Sequence, residues 1–200
     1  VCSSDLKTMI NPLLNRGYKV YAVVHRSSPR FTIEEAVADV RQAVRFIRQR
    51  EAEDGNTSVP IGILGASAGG HLSLMMGTTG DDGATTAKVA LDKQSSRVQA
   101  VACYFPPTDF FNYGETGVNV LETTVGLRFP PSFDFMRQEK DTPAGPNSRF
   151  SRVSDEDRLK ILEQVSPITH VTPDDAPALI IHGDADWLVP IQQAEIMVDR

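Results

Sequence analysis

The stretch "GASAGGH", Gly65 to His71, sets one serine hydroxyl among residues with almost no side chain, directly after the apolar-biased run Ile61 to Leu64. A serine becomes an acyl-transfer catalyst only when a base takes its proton and fixed N–H donors hold the oxyanion that its attack creates. A Gly-x-Ser-x-Gly turn between a strand and a helix answers the second need. Its sharp, strained backbone exposes Oγ at the strand end, its small neighbours leave room for close backbone approach, and the next N–H lies at a helix start, where the dipole favours negative charge. Ser67 is thus the candidate nucleophile, and the backbone N–H of Ala68 the candidate oxyanion donor. Two other uses of the motif are an ordinary core serine and a dinucleotide-binding loop. Gly62, Gly65 and Gly69 do not give G-x-G-x-x-G, and no acidic residue ends a strand about 20 residues on, which disfavours the dinucleotide loop.

A second stretch with chemical potential is "LIIHGDADWLVP" at 179–190. It is an apolar strand opening into a turn with two aspartates, then a proline suited to the first turn of a helix, so it presents a carboxylate at the same sheet edge as Ser67. Such a carboxylate holds the base of a triad in the correct tautomer and stabilises its charged form. Asp184 and Asp186 compete for that role within the turn. Asp109, after "FPPT", stays open as an alternative acid, since triad roles are set by geometry.

The elements that must position these groups are legible as short, nearly continuous apolar runs: Lys19–His25 ("KVYAVVH"), Val59–Gly65, Val98–Phe105 and Ala178–Ile181. Runs of this kind are expected of strands buried on both faces of a parallel sheet. Thr32 and Glu35 form a T-x-x-E capping box for a helix to about Arg50, and a second helix leaves the glycine run at Ala68 carrying Leu72, Leu74, Met75 and Met76. The alternation predicts an α/β doubly wound sheet. Residues 106–154 break the rhythm with six prolines and six of the nine phenylalanines. This segment is expected to be an insertion over the ligand face, or one whose rings (Phe110, Phe111, Phe129, Phe133, Phe135, Phe150) fill a small core of their own.

Composition sets limits on partners. A formal charge of −6 over 200 residues argues against a nucleic-acid or anionic-membrane surface, which needs a concentrated basic face. Arg41, Arg45, Arg48 and Arg50 cluster, but on the polar side of the first long helix, where a solvated face is expected. No apolar run reaches membrane-spanning length, and no signal peptide or lipidation motif is visible. Residues 1–6, "VCSSDL", are what the end of a short-read sequencing adapter encodes, and are expected to be a scar preceding the domain at 7–200. Cys103 is then the single cysteine, expected to be an inert packing residue.

The elbow at Ser67 together with the H-G-x-x-D-x-x-V-P pattern at 182–190 resembles the α/β-hydrolase superfamily, particularly the esterases and lipases related to prolyl oligopeptidase-type peptidases. The resemblance spans most of residues 19–198 apart from the insertion. "VVHRSSP" departs from the Y-R-x-x-P wording of lipase-like relatives. The resemblance implies a mostly parallel sheet with helices on both faces, Ser67 as nucleophile, Ala68 as one oxyanion donor, Asp186 as the acid and Asp184 as a brace of the turn. It implies cleavage of a carboxylic ester through an acyl-enzyme, on a small-molecule ester or short peptide, with no metal or cofactor. A prolyl oligopeptidase-like or acylaminoacyl peptidase shares both motifs, and a non-catalytic binding protein can keep the same fold.

In that superfamily the chain order is Ser, then Asp or Glu, then His. None of the four histidines fits: His71 lies inside the helix leaving the elbow, His25 ends an early strand, and His170 and His182 precede the acid. The base is therefore expected after Asp186. Residues 8–17 look like the tail of a helix that follows the second oxyanion loop in such hydrolases. The 200 residues are accordingly expected to be an internal fragment, incomplete at both ends and inert alone.

Overall fold

The computed structural model describes residues 3–28, 30–128, 137–138, 150–151 and 153–200, with side chains described from Lys7 onward except in the two short pieces at 137–138 and 150–151. In chain order the elements are α1 (Ser3–Leu14), α2 (Ile33–Glu53), β1 (Gly62–Ala66), α3 (Ala68–Thr79), β2 (Ala100–Tyr104), α4 (Thr124–Arg128), β3 (Arg137–Gln138), β4 (Phe150–Ser151), α5 (Asp155–Gln164), β5 (Ala178–Ile181) and α6 (Gln192–Val198). β1, β2 and β5 form a parallel sheet in that order, while β3 and β4 make a separate antiparallel pair.

Register explains which side chains the sheet buries. Leu64 lies opposite Ala102, and Ala102 opposite Leu179; Gly65 lies opposite Cys103, and Cys103 opposite Ile180. Alternate residues point to opposite faces. Val101 and Cys103 are buried on one face together with Val44 of α2 and Leu74 of α3, with Ile63, Ile180 and Met197 packed beside them. On the other face Leu64, Tyr104, Leu179 and Ile181 are exposed among the described residues. Cys103 is buried, and burial pushes its thiol up to about 11, which leaves it protonated and unreactive at neutral pH.

α2 begins where its capping box requires. Glu35 N donates to Thr32 Oγ1 at 3.2 Å and Thr32 N to the Glu35 carboxylate at 2.9 Å. Its apolar stripe Ala36, Val37 and Val40 meets Leu72, Met75 and Met76 of α3. α3 is apolar nearly all round, as a helix enclosed between a sheet and a second helix must be. A Cβ on Gly77 would meet Val101 Cγ2 at 2.7 Å, so the absence of a side chain there sets how closely α3 lies on β2.

Two sequence expectations change, and one pair of alternatives is narrowed. Lys19–His25 forms no strand, and Val24 is 95% exposed. The segment is held by side chains instead: Lys19 and Tyr21 bond Glu51 near the end of α2, and Arg26 grips Asp39 nearer its start. Apolar composition favours a strand only where a partner edge offers hydrogen bonds. The arginines of α2 do not form a solvated face either. Arg45, whose side chain is 12% exposed, joins Asp81 at 2.8 Å and Asp92 at 3.0 Å, and Arg48 donates to the Arg97 carbonyl at 2.7 Å, so they dock the 79–97 segment onto α2; Arg50 alone of the four is exposed. Of the two placements open to Phe110, its contacts are those of a core. It packs with Tyr113, Val120, Ile161, Leu162 and Val165, with Phe111 partly buried against them. Phe129, Phe133 and Phe135 lie outside the described residues, as does the side chain of Phe150.

Candidate active site

Ser67 joins β1 to α3 with φ 53° and ψ −122°, a left-handed backbone that a residue with a Cβ adopts at a cost of about 1–3 kcal/mol. Three contacts hold it there. Ser67 N donates to the Tyr104 carbonyl of β2 at 2.9 Å, and the Ser67 carbonyl accepts from His71 N at 3.0 Å. Gly65 admits no side chain: a Cβ there would sit 2.1 Å from the Gly69 carbonyl oxygen and 2.7 Å from Ser73 Oγ, so the first turn of α3 folds back over the strand. Gly70 likewise faces the Tyr104 carbonyl and Pro106 at 3.1–3.2 Å, whereas Gly69 faces open space. Ser67 is half-buried, its hydroxyl caps nothing in the helix, and Ala68, the first residue of α3, is exposed.

A second strained residue sits beside it. Phe105, the residue after β2, has φ 40°, and its N–H donates to the Ile181 carbonyl at 2.8 Å. Ser67 and Phe105 are the two non-glycine residues at positive φ among those described, and both follow parallel strands at their carboxyl ends. Strained backbone concentrates at functional sites. No sequence signal marks Phe105 for this conformation.

Asp186 also follows the carboxyl end of a strand in the same parallel sheet, five residues after Ile181 ends β5. Its Oδ1 accepts from Leu188 N at 2.9 Å and Val189 N at 3.0 Å, and its side chain remains 23% exposed. Asp184 is exposed and its carboxylate has no hydrogen-bond partner among the described residues. Asp109 is used otherwise. It is buried, with Oδ1 accepting from Phe111 N and Asn112 N and Oδ2 from Asn112 Nδ2 at 2.8 Å, so its carboxylate closes a turn.

The loops after β2 and β5 are bound to each other. Gln193, fully buried, accepts through Oε1 from Thr108 N and Asp109 N, both at 2.8 Å, and donates through Nε2 to the Asn112 carbonyl at 2.9 Å. Gly114 N donates to Gln192 Oε1 at 3.1 Å, and Arg128 of α4 stacks on Trp187, the residue after Asp186, at 5.5 Å. The start of the inserted segment therefore lies against the aspartate turn. No local sequence signal marks Gln193 or Tyr113, because their partners are about 75–85 residues away.

Each histidine is engaged with a backbone carbonyl. His71 Nε2 donates to the Val165 carbonyl at 2.6 Å, His170 Nε2 to Gln164, His182 Nε2 to Val189, and His25 Nδ1 lies 2.6 Å from the Arg26 carbonyl. His71 is buried against Phe110, and burial holds its imidazolium down to about 4. A folded-state value below the unfolded 6.5 means that the unfolded chain takes up the proton first as pH falls. Stability is intact above about pH 6.5 and is lost progressively down to about pH 4, by up to about 3 kcal/mol from this group alone. His71→Gln, which keeps a donor for Val165, is expected to flatten the fall in urea midpoint over that window. Superimposable pH profiles of the two proteins would clear His71 of the effect.

Among the described residues no helix is long and apolar enough to cross a membrane, and no group of three His, Cys, Asp or Glu is placed to hold a metal ion.

Compared with known proteins, residues 3–200 match the family described as BD-FAE. The chain is 28% identical over 192 residues to the probable carboxylic ester hydrolase LipM of Mycobacterium tuberculosis, covering 96% of this chain and 39% of that protein. It is 25% identical over 192 residues to the esterase LipC of the same organism, covering 96% and 42%. Among solved structures it is similar to a truncated form of carbohydrate esterase from gut microbiota, with TM-score 0.68, 28% identity and coverage of 94% of this chain and 62% of that one. The chain thus spans about two fifths of the length of the curated relatives it matches. The parallel sheet, the helix leaving the strained serine and the family match over nearly every residue agree: the chain belongs to the BD-FAE family and has a fold of α/β-hydrolase type.

Proposed function

We propose that this chain carries the nucleophile and the acid of a serine hydrolase that cleaves carboxylic esters of small molecules through an acyl-enzyme. The observation that carries the reading is the backbone of Ser67: φ 53° between β1 and α3, with a hydroxyl that caps nothing. Such strain is retained where an exposed Oγ repays it. The likeness to proteins named as a carboxylic ester hydrolase and an esterase supports the substrate class.

In this reading Ser67 Oγ gives its proton to a base and attacks the ester carbonyl, forming a C–O bond while the carbonyl π pair moves onto oxygen. The Ala68 N–H, at the positive end of α3, donates to that oxyanion. Collapse of the intermediate expels the alcohol, which takes the proton back from the base, and water then releases the acid by the same sequence. Asp186 orients the base and stabilises its cation. The base is assigned to none of His25, His71, His170 or His182, since each is engaged with a main-chain carbonyl.

The test is active-site labelling of the enzyme expressed from its complete reading frame. A fluorophosphonate is expected to modify Ser67 stoichiometrically, and a short-chain aryl ester to turn over faster than an aminoacyl anilide. Label at another residue, or none on folded protein, removes Ser67 as nucleophile and leaves the binding-protein alternative. Faster anilide turnover makes the enzyme a peptidase.

A further inference from the structure

Asp186 does not hold its own position. Its Oδ1 is fixed by the N–H groups of Leu188 and Val189, so the carboxylate is only as well placed as the main chain of those two residues. Their carbonyls are in turn taken by two side chains from different parts of the fold. Tyr113 Oη donates to the Leu188 carbonyl at 2.9 Å, and His182 Nε2 donates to the Val189 carbonyl at 2.8 Å. The amides of residues 188 and 189 thus face the carboxylate while their carbonyls face two anchored donors.

Both donors are buried. The Tyr113 ring belongs to the cluster of Phe110, Val120, Ile161, Leu162 and Val165, so it is anchored on residues outside the turn that its hydroxyl braces. The turn carrying Tyr113 is closed by the Asp109 carboxylate and clamped to α6 by Gln193. The His182 side chain is 3% exposed, and its other nitrogen, Nδ1, is buried without a hydrogen-bond partner. Because a carbonyl only accepts, Nε2 carries the proton, and the ring serves as a donor to Val189. Its separation from Asp186 Oδ2, 3.8 Å, is beyond hydrogen-bond length.

We infer that Tyr113 and His182 are positioning residues for the acid, acting through the main chain of Leu188 and Val189 to hold the Asp186 carboxylate at the angle the base requires. The inference rests on Asp186 being the triad acid. It gives the inserted segment a task in the reaction, since Tyr113 comes from it, and it uses a buried histidine that the mechanism otherwise leaves idle.

The experiment compares Tyr113→Phe, His182→Gln and His182→Leu in the enzyme expressed from its complete reading frame, each alone and in an Asp186→Asn background. Rates are expressed per active site titrated with the fluorophosphonate, which removes any loss of folded protein from the comparison. Tyr113→Phe is expected to lower kcat on an aryl ester about tenfold with KM within about twofold, since a small misplacement of a catalytic group costs rate rather than affinity. The acidic limb of the kcat/KM profile should move to lower pH, because a displaced carboxylate stabilises the protonated base less. The titratable groups facing Asp186 are His182 and Tyr113 themselves, with the charge of Arg128 on the neighbouring Trp187. His182→Gln, which keeps an N–H donor, should recover most of what His182→Leu loses. In the Asp186→Asn background each substitution should have almost no further effect, as expected of groups that act through one residue.

Losses that multiply with Asp186→Asn, or an unmoved acidic limb with kcat per titrated site unchanged, would overturn the positioning role. Full activity of Asp186→Asn alone would instead remove the acid assignment on which it rests.

Discussion

Replacing Ser67 with alanine is expected to lower kcat on a short-chain aryl ester by about a millionfold in the enzyme expressed from its complete reading frame, with the fold intact. The size follows from the proposed role of Ser67 as nucleophile. Without Oγ no acyl-enzyme forms, and only direct attack by water remains, helped by the oxyanion donor and by binding alone. The fold survives because nothing else depends on the hydroxyl: the contacts that hold the turn are the Ser67 N–H to Tyr104, the Ser67 carbonyl to His71 N, and the close approach at Gly65. Alanine keeps the positive φ and its cost. Ser67→Gly is therefore the informative companion, since it loses the nucleophile equally but relaxes the strain, and its thermal midpoint should exceed that of Ser67→Ala by about 1–2 kcal/mol in equivalent stability. Equal midpoints would mean that the turn stores no strain; retained turnover by either would mean that another nucleophile is at work.

Asp186→Asn is expected to lower kcat by about ten thousandfold. The asparagine carbonyl oxygen can still accept from Leu188 N and Val189 N, so the turn keeps its shape and only the charge is removed. On the proposed role of Asp186 as the acid, what is lost is the preference for the base tautomer that accepts the serine proton and the stabilisation of its cation. Asp184→Asn should leave kcat within about twofold, because that carboxylate is exposed and unbonded among the described residues. Asp109→Asn is expected to lower stability while sparing kcat per titrated site, since its carboxylate closes the turn at Phe111 and Asn112. If the large kinetic loss fell on Asp109 or Asp184 instead, the acid would be reassigned to that residue.

The parts of this arrangement that could be read from the chain are those set by local chemistry. β1, β2 and β5 announce themselves as apolar runs between breakers, α2 by its capping box, and the start of α3 by the small residues around Ser67. Gly65 is explicable in advance by close backbone approach, and the structure gives its reason in the 2.1 Å a Cβ would leave to Gly69. His71 packs inside the fold as its place in a helix implied. What could not be read depends on partners far along the chain. Lys19–His25 has strand composition but no ladder in the sheet. Arg45 and Arg48 look like solvent residues until the 79–97 segment folds onto them. Phe110 allowed two placements, and only its contacts with Ile161, Leu162 and Val165 decide between them. Tyr113 and Gln193 carry no motif of their own as braces, since hydrogen bonds to groups 75 and 85 residues away leave no local pattern.

The strand order β1-β2-β5 has a kinetic consequence. Gly62 pairs with Ala100 and Val101 with Ala178, so the first parallel pairing closes 38 residues of sequence and the second closes 77. Doubling a loop costs only about 0.6 kcal/mol more in closure entropy, yet each such contact must be ordered before it is rewarded, and chains dominated by distant pairings fold slowly. The packing of α2 and α3 on β1 and β2 draws on the shorter closure, whereas the turn bearing Asp186 gains its braces only once β5 has docked. Refolding should therefore restore helical signal before it restores a serine that fluorophosphonate can label, with the interval between the two set by the arrival of the last strand.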